Sequence, residues 1–93
     1  MSNPDHRNAV LSARQILGSK VYDTEGHKIG HVADVGLDED TQSILFATVG
    51  CGGFLGLGAT RHPVPWSELE YDASQRRYVA RLTRRELLTP AYD

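Results

Sequence analysis

The chain has 93 residues, a formal net charge of −2 and a single cysteine, Cys51. That length gives one domain with one modest core. The mild acidity argues against a generic nucleic-acid binder, which carries a basic footprint, and one cysteine excludes an internal disulfide framework.

Residues 1–10 are polar and unpatterned and are expected to form a flexible tail. Residues 1–20 hold no apolar run of signal-peptide length, and the uncharged stretch Thr41 to Thr60 is too rich in glycine to span a bilayer. We therefore expect a cytoplasmic protein. Leu11 to Leu17 is expected to form a short helical turn that packs Ile16 and Leu17 inward, with Gly18 ending it.

The β signals follow. Lys20 to Tyr22 is a short strand, and Asp23-Thr24-Glu25-Gly26 is a tight turn with Gly26 at positive φ. Lys28 to Asp38 is a long strand. Ile29, Ala33, Val35 and Leu37 share one parity while Val32 falls on the other, so the strand bulges near Gly30 or is covered on both faces. Asp38 to Gln42 is a second turn with Asx-type bonding. Ser43 to Cys51 is apolar at both parities, with Ile44 and Phe46 on one side and Leu45, Ala47 and Val49 on the other. Such a strand is expected to be buried on both faces, inside one subunit or between two.

Gly50 to Gly58 is a glycine-rich turn carrying Phe54, Leu55 and Leu57. Thr60 to Val64 is a strand confined to an edge by Pro63 and Pro65. Trp66 to Leu69 forms one helical turn, and Trp66 anchors it with its indole N–H on a backbone acceptor. Glu70–Tyr71 and Arg77–Leu82 are short strands around the turn Asp72 to Arg76. Thr83 and Glu86 match a capping box that opens a short C-terminal helix through Leu88, stopped by Pro90; residues 90–93 form a tail. Many short strands point to an all-β fold closed as a small barrel.

Three features occur in order: Gly18-x-Lys20-Val21-Tyr22-Asp23-x-x-Gly26-x-x-Ile29-Gly30-x-Val32, the apolar strand closing at Val49, and Gly52-Gly53-Phe54-Leu55-Gly56-Leu57-Gly58 followed by Val64-Pro65-Trp66-Ser67. Together they resemble the PRC-barrel family, named for the cytoplasmic domain of the photosynthetic reaction-centre H subunit, over residues 11–89. The block with Gly52, Gly53 and Gly56 before Pro65 and Trp66 is similar to that of small stand-alone bacterial members. The resemblance implies a strongly bent β-barrel of roughly six strands and roles in protein–protein contact without catalytic residues. In the H subunit the domain caps the cytoplasmic side of the reaction centre; in a ribosome maturation factor it docks on a ribosomal protein. This chain shows neither the transmembrane helix of the first nor the RNA-processing domain of the second, so neither partner is carried over.

Ligand templates fail on the glycine-rich turn. Leu55 stands where a dinucleotide fingerprint needs its third glycine, no helix opens after it, and no Gly-Lys-Ser/Thr supplies a P-loop. Gly53 to Gly56 matches the GXXG of KH domains but lacks their helices and basic residues. Phe54, Leu55 and Leu57 either fold back onto the barrel or dock on another chain. His27, His31 and His62 with Cys51 lack the paired ligands of zinc sites, and no metal or cofactor is expected. Cys51 or Ser67 with His62 is the only nucleophile–base set available. Cys51 lies in an apolar run with no neighbouring cation, so we expect no enzyme. Arg76, Arg77, Arg84 and Arg85 interleave with acidic residues as a solvated face, and RNA binding is not expected.

These readings converge on an interaction or adaptor module that self-associates as a homodimer and binds a further protein. Ile44, Phe46, Phe54, Leu55 and Leu57 are the candidate surface; Gly26, Gly30, Gly52, Gly53, Gly56, Pro65 and Trp66 are structural markers. The alternatives are a ribosome-assembly or RNA-processing factor and an accessory protein of photosynthetic electron transfer.

Overall fold

A computed structural model describes residues 11–52, 60–82 and 86. A short helix α1 (Ala13–Ile16) precedes β1 (Lys20–Tyr22), β2 (Lys28–Leu37), β3 (Ile44–Cys51) and β4 (Thr60–Pro65). A 3₁₀ turn (Trp66–Glu68) leads to β5 (Leu69–Asp72) and β6 (Arg77–Ala80). The expected strands, and the turns at Asp23–Gly26, Asp38–Gln42 and Asp72–Arg76, are found within a residue or two at their ends, whereas the glycine-rich turn beyond Gly52, with Gly53 and Gly56, lies outside the described residues. The expected C-terminal helix, the two tails, and Phe54, Leu55 and Leu57 lie outside the described residues, apart from Glu86.

The six strands form one sheet in the order β4-β3-β2-β1-β6-β5. Neighbours are antiparallel except β1 and β6, which run parallel with Val21 opposite Tyr78. The connectivity forces this sheet to curl. Laid flat, its edge strands would stand about 24 Å apart. Yet β4 and β5 are the two edges, and only Trp66–Glu68 joins them, a link that reaches about 14 Å at full extension. The sheet therefore bends into a half-barrel around its apolar face.

Every strand contributes to that face: Val21, Ile29, Val32, Ala47, Val49, Cys51, Val64, Leu69, Tyr78 and Ala80 are buried. Ile29 and Val32 both reach the core in spite of their opposite parity. The β1–β2 register slips beside Ile29, where Val21 pairs with Gly30 and Tyr22 with Lys28. The β2–β3 register slips at Ala33, between the pairs Val32–Val49 and Asp34–Thr48. Each bulge turns the strand and resets which side faces in. Gly30 sits in this bend. A Cβ there would run into the Gly50 carbonyl, so β2 passes over β3 more closely than any side chain permits.

Asp23 braces the β1–β2 turn, its Oδ1 accepting the N–H groups of Glu25 (2.9 Å) and His27 (2.8 Å). Gly26 takes φ 91°. In the β2–β3 turn Asp38 Oδ1 likewise accepts from Asp40 N (2.7 Å) and Thr41 N (3.1 Å), and Gln42 takes φ 65°. Ser12 caps α1 through a capping box with Gln15.

Two packing expectations need correction. Leu17 is 42% exposed rather than inward, because α1 ends at Ile16 and Leu17 is already extended; Ile16 alone packs on the core. Trp66 does join the core, its ring 5.5 Å from Tyr78. Its indole finds no backbone acceptor among the described residues, however, and stays half-buried, so ring packing anchors it. Tyr78 also meets Tyr71 at 5.0 Å, and its buried hydroxyl has no partner among the described residues.

Candidate interaction surface

The expected double burial of Ser43 to Cys51 is not found within this chain. Ala47, Val49 and Cys51 are buried, whereas Leu45 is 51% and Phe46 37% exposed. The register explains the difference. β1 pairs with β2 only between Lys28 and His31, with Gly18 and Ser19 extending the bonding to Val32. β4 pairs with β3 only from Phe46 to Cys51. The hairpin end of β2 and β3 thus extends past both flanking strands. Leu37, Ile44 and Leu45 each have a strand on one side alone, and Leu37 is 54% exposed. An apolar pattern at both parities marks a strand that needs cover on both faces, but not which molecule supplies it.

Residues directly opposite in an antiparallel pair share a face, so the registers assemble the outer surface in rows. Lys20, His31, Gly50 and Arg61 form the first row, Asp34, Thr48 and Pro63 the second, and Gly36, Phe46 and Pro65 the third. Phe46 lies over Gly36, where a Cβ would collide with its ring. Beyond the third row stands the turn with Asp38, Glu39 and Asp40. From Val32 to Thr60 the chain has no Lys, Arg or His. The surface therefore runs from a basic row, through an apolar middle holding Phe46, Pro63 and Pro65, to an acidic end.

Both edges are poor templates for strand addition. Pro63 and Pro65 lack N–H groups, so by the alternation along a strand the outward edge of β4 keeps one donor, at Arg61. β5, at the other edge, has four residues.

The remaining sequence candidates separate. His31 lies on the outer face beside Gly50. His62 pairs with Val49 on the inner side and meets the Thr60 hydroxyl at 3.0 Å. Among the described residues no hydrogen bond links His62 to Cys51 or Ser67. Cys51 is buried, and its thiol points at the Val49 carbonyl 3.8 Å away. Among the described residues, the three histidines and Cys51 do not gather into one metal-binding group. Instead Asp23, Glu25 and His27 come together at the β1–β2 turn, with His27 Nδ1 3.3 Å from Asp23 Oδ2 and 3.6 Å from Glu25 Oε1. Sequence reasoning weighed His27 with the wrong companions; the Asp-x-Glu-x-His spacing across a tight turn was the available signal. Backbone bonding from His27 is the first cause that holds the Asp23 carboxyl below the usual range, which makes Asp23 a turn brace.

Arg77 is not part of a solvated face. Its guanidinium lies 4.4 Å above the Tyr22 ring, and its Nε is 3.4 Å from Asp72 Oδ2. Asp72 also takes the Ser74 hydroxyl at 2.6 Å, the main cause of its lowered pKa. An arginine engaged in this way offers little to RNA.

No helix among the described residues is long and apolar enough to cross a membrane. No curated protein matches this sequence. A family model for the PRC-barrel domain matches residues 9–87. With the curled six-stranded sheet, that match across most of the chain establishes that the protein belongs to the PRC-barrel family, small domains of a general interaction and adaptor kind.

Proposed function

We propose that the protein is a non-enzymatic interaction module of the cytoplasm that self-associates as a two-fold homodimer and holds a further protein partner. One observation carries the reading. Phe46, Pro63 and Pro65 are exposed on the outer face, and Leu37 and Leu45 are exposed where the β2–β3 hairpin outruns its neighbours; exposed apolar groups of this kind mark contact sites. Two-fold pairing of identical patches is the commonest way for a small domain to cover one. In this reading Ile44 and Phe46 belong to the contact, and Phe54, Leu55 and Leu57, which lie outside the described residues, are further candidate members of it.

Sedimentation velocity tests the reading at about 10–100 µM, where a micromolar interface is populated. A concentration-dependent dimer is expected; a monomer throughout contradicts self-association.

A further inference from the structure

We propose that the second copy docks face to face on the outer surface of β2, β3 and β4 with its strands running antiparallel, so that the acidic turn of each copy covers the basic row of the other. This rests on the self-association reading and adds its surface and orientation.

Edge pairing is disfavoured on both sides, by Pro63 and Pro65 on β4 and by the shortness of β5. The outer face remains, with Phe46, Pro63 and Pro65 exposed at its centre. Two orientations preserve two-fold symmetry there. With strands parallel, the acidic turns of the two copies oppose each other and so do the basic rows. With strands antiparallel, the acidic turn meets the basic row, and the second row meets the third.

The antiparallel overlay also suits the middle of the face. Stacked sheets lie about 10 Å apart. Phe46 of one copy then faces Thr48 of the other, Pro65 faces Pro63, and Asp34 faces the bare Gly36. The only acidic group of the central rows is thereby placed against a glycine and away from its own copy. Charge order of this kind sets register and rejects wrong orientations more than it adds affinity.

The test uses the full chain and reads dimer Kd by sedimentation equilibrium. Lys20→Glu with Arg61→Glu makes one variant, and Glu39→Lys with Asp40→Lys a second; all four side chains are exposed. Asp38 is left intact because it braces the turn. Antiparallel docking predicts that each variant raises Kd tenfold or more, while the chain carrying all four reversals returns close to wild type. If neither pair changes Kd, or the fourfold reversal stays weak, the orientation is wrong although self-association stands. If the wild type is monomeric, the self-association reading itself fails. A salt series on unmodified protein provides a reading free of folding effects. Kd should rise several-fold between about 50 and 500 mM salt as the charges are screened; a flat or falling Kd overturns the proposal.

Discussion

Strands β2, β3 and β4 carry two faces built from alternate residues of the same segments. On the inner face Val32, Val49 and Val64 are excluded from water. On the outer face Asp34, Thr48 and Pro63 form one row of the same strands, Asp34 lying beyond the bulge at Ala33. The inner face is specified by volume and apolarity, since it must fill the concavity of a curled sheet. The outer face is specified by the order of its charges, because no described element of its own chain packs against it. One set of strands thus encodes a fold on one side and a contact on the other.

Two glycines sharpen this contrast most. Gly30 belongs to the inner bend and Gly36 to the outer third row. Gly30→Ala pushes a methyl group against the Gly50 carbonyl, which cannot move without parting two strands. A loss of about 1–3 kcal/mol or more is expected, lowering Tm by roughly 10 °C for a domain of this size. Gly36→Ala meets the Phe46 ring first, a side chain that can swing into solvent. Its Tm should change by a few degrees at most, while self-association weakens. Equal losses of Tm in the two variants would break the distinction between the faces.

Acid acts on the turns that frame both faces. The carboxyls of Asp23 and Asp72 are held below their ordinary value, chiefly by the His27 backbone N–H and the Ser74 hydroxyl respectively. A lowered folded-state pKa contributes stability that is fully present above the unfolded value, near 3.9, and is lost as pH falls through the folded one. Thermal stability should therefore hold from neutral pH to about pH 5 and fall below about pH 4. Asp23→Asn should flatten that acid limb, and an unchanged limb would show that the turn is not braced by the charged form.

The smallest effect belongs to Tyr78. Its hydroxyl is buried without a partner among the described residues, and burial raises its pKa. Tyr78→Phe keeps the ring between Trp66 and Tyr71 and removes only an unpaired polar group. Calorimetry should give a Tm equal to or slightly above wild type; a clear loss would point to a bond that the hydroxyl makes.

Most of the fold was legible in the sequence because local chemistry dictated it. Gly26 adopts the positive φ expected of it, Gly18 follows the end of α1 with φ 87°, Asp38 closes its turn, and Pro63 and Pro65 hold β4 at an edge. The surface was harder to read. Apolar residues at both parities of Ser43 to Cys51 suggested cover on both sides, but exposure at Leu45 and Phe46 depends on where β1 and β4 stop. That is a matter of register, which no single segment encodes. The outer rows draw Lys20, His31, Gly50 and Arg61 from four strands, so no linear motif announces them. Arg77 was misread for the same reason: Tyr22, which receives it, is far away in the chain.

The most direct test of the central claim compares wild type with the double variant Leu45→Ser, Phe46→Ser by sedimentation velocity, with Tm recorded on the same samples. A wild-type dimer at tens of micromolar, and a variant that becomes monomeric with its Tm lowered only by the loss of the dimer contact, is the predicted result. A variant that remains dimeric, or a wild type that is monomeric across the range, would contradict an interaction surface on the outer face.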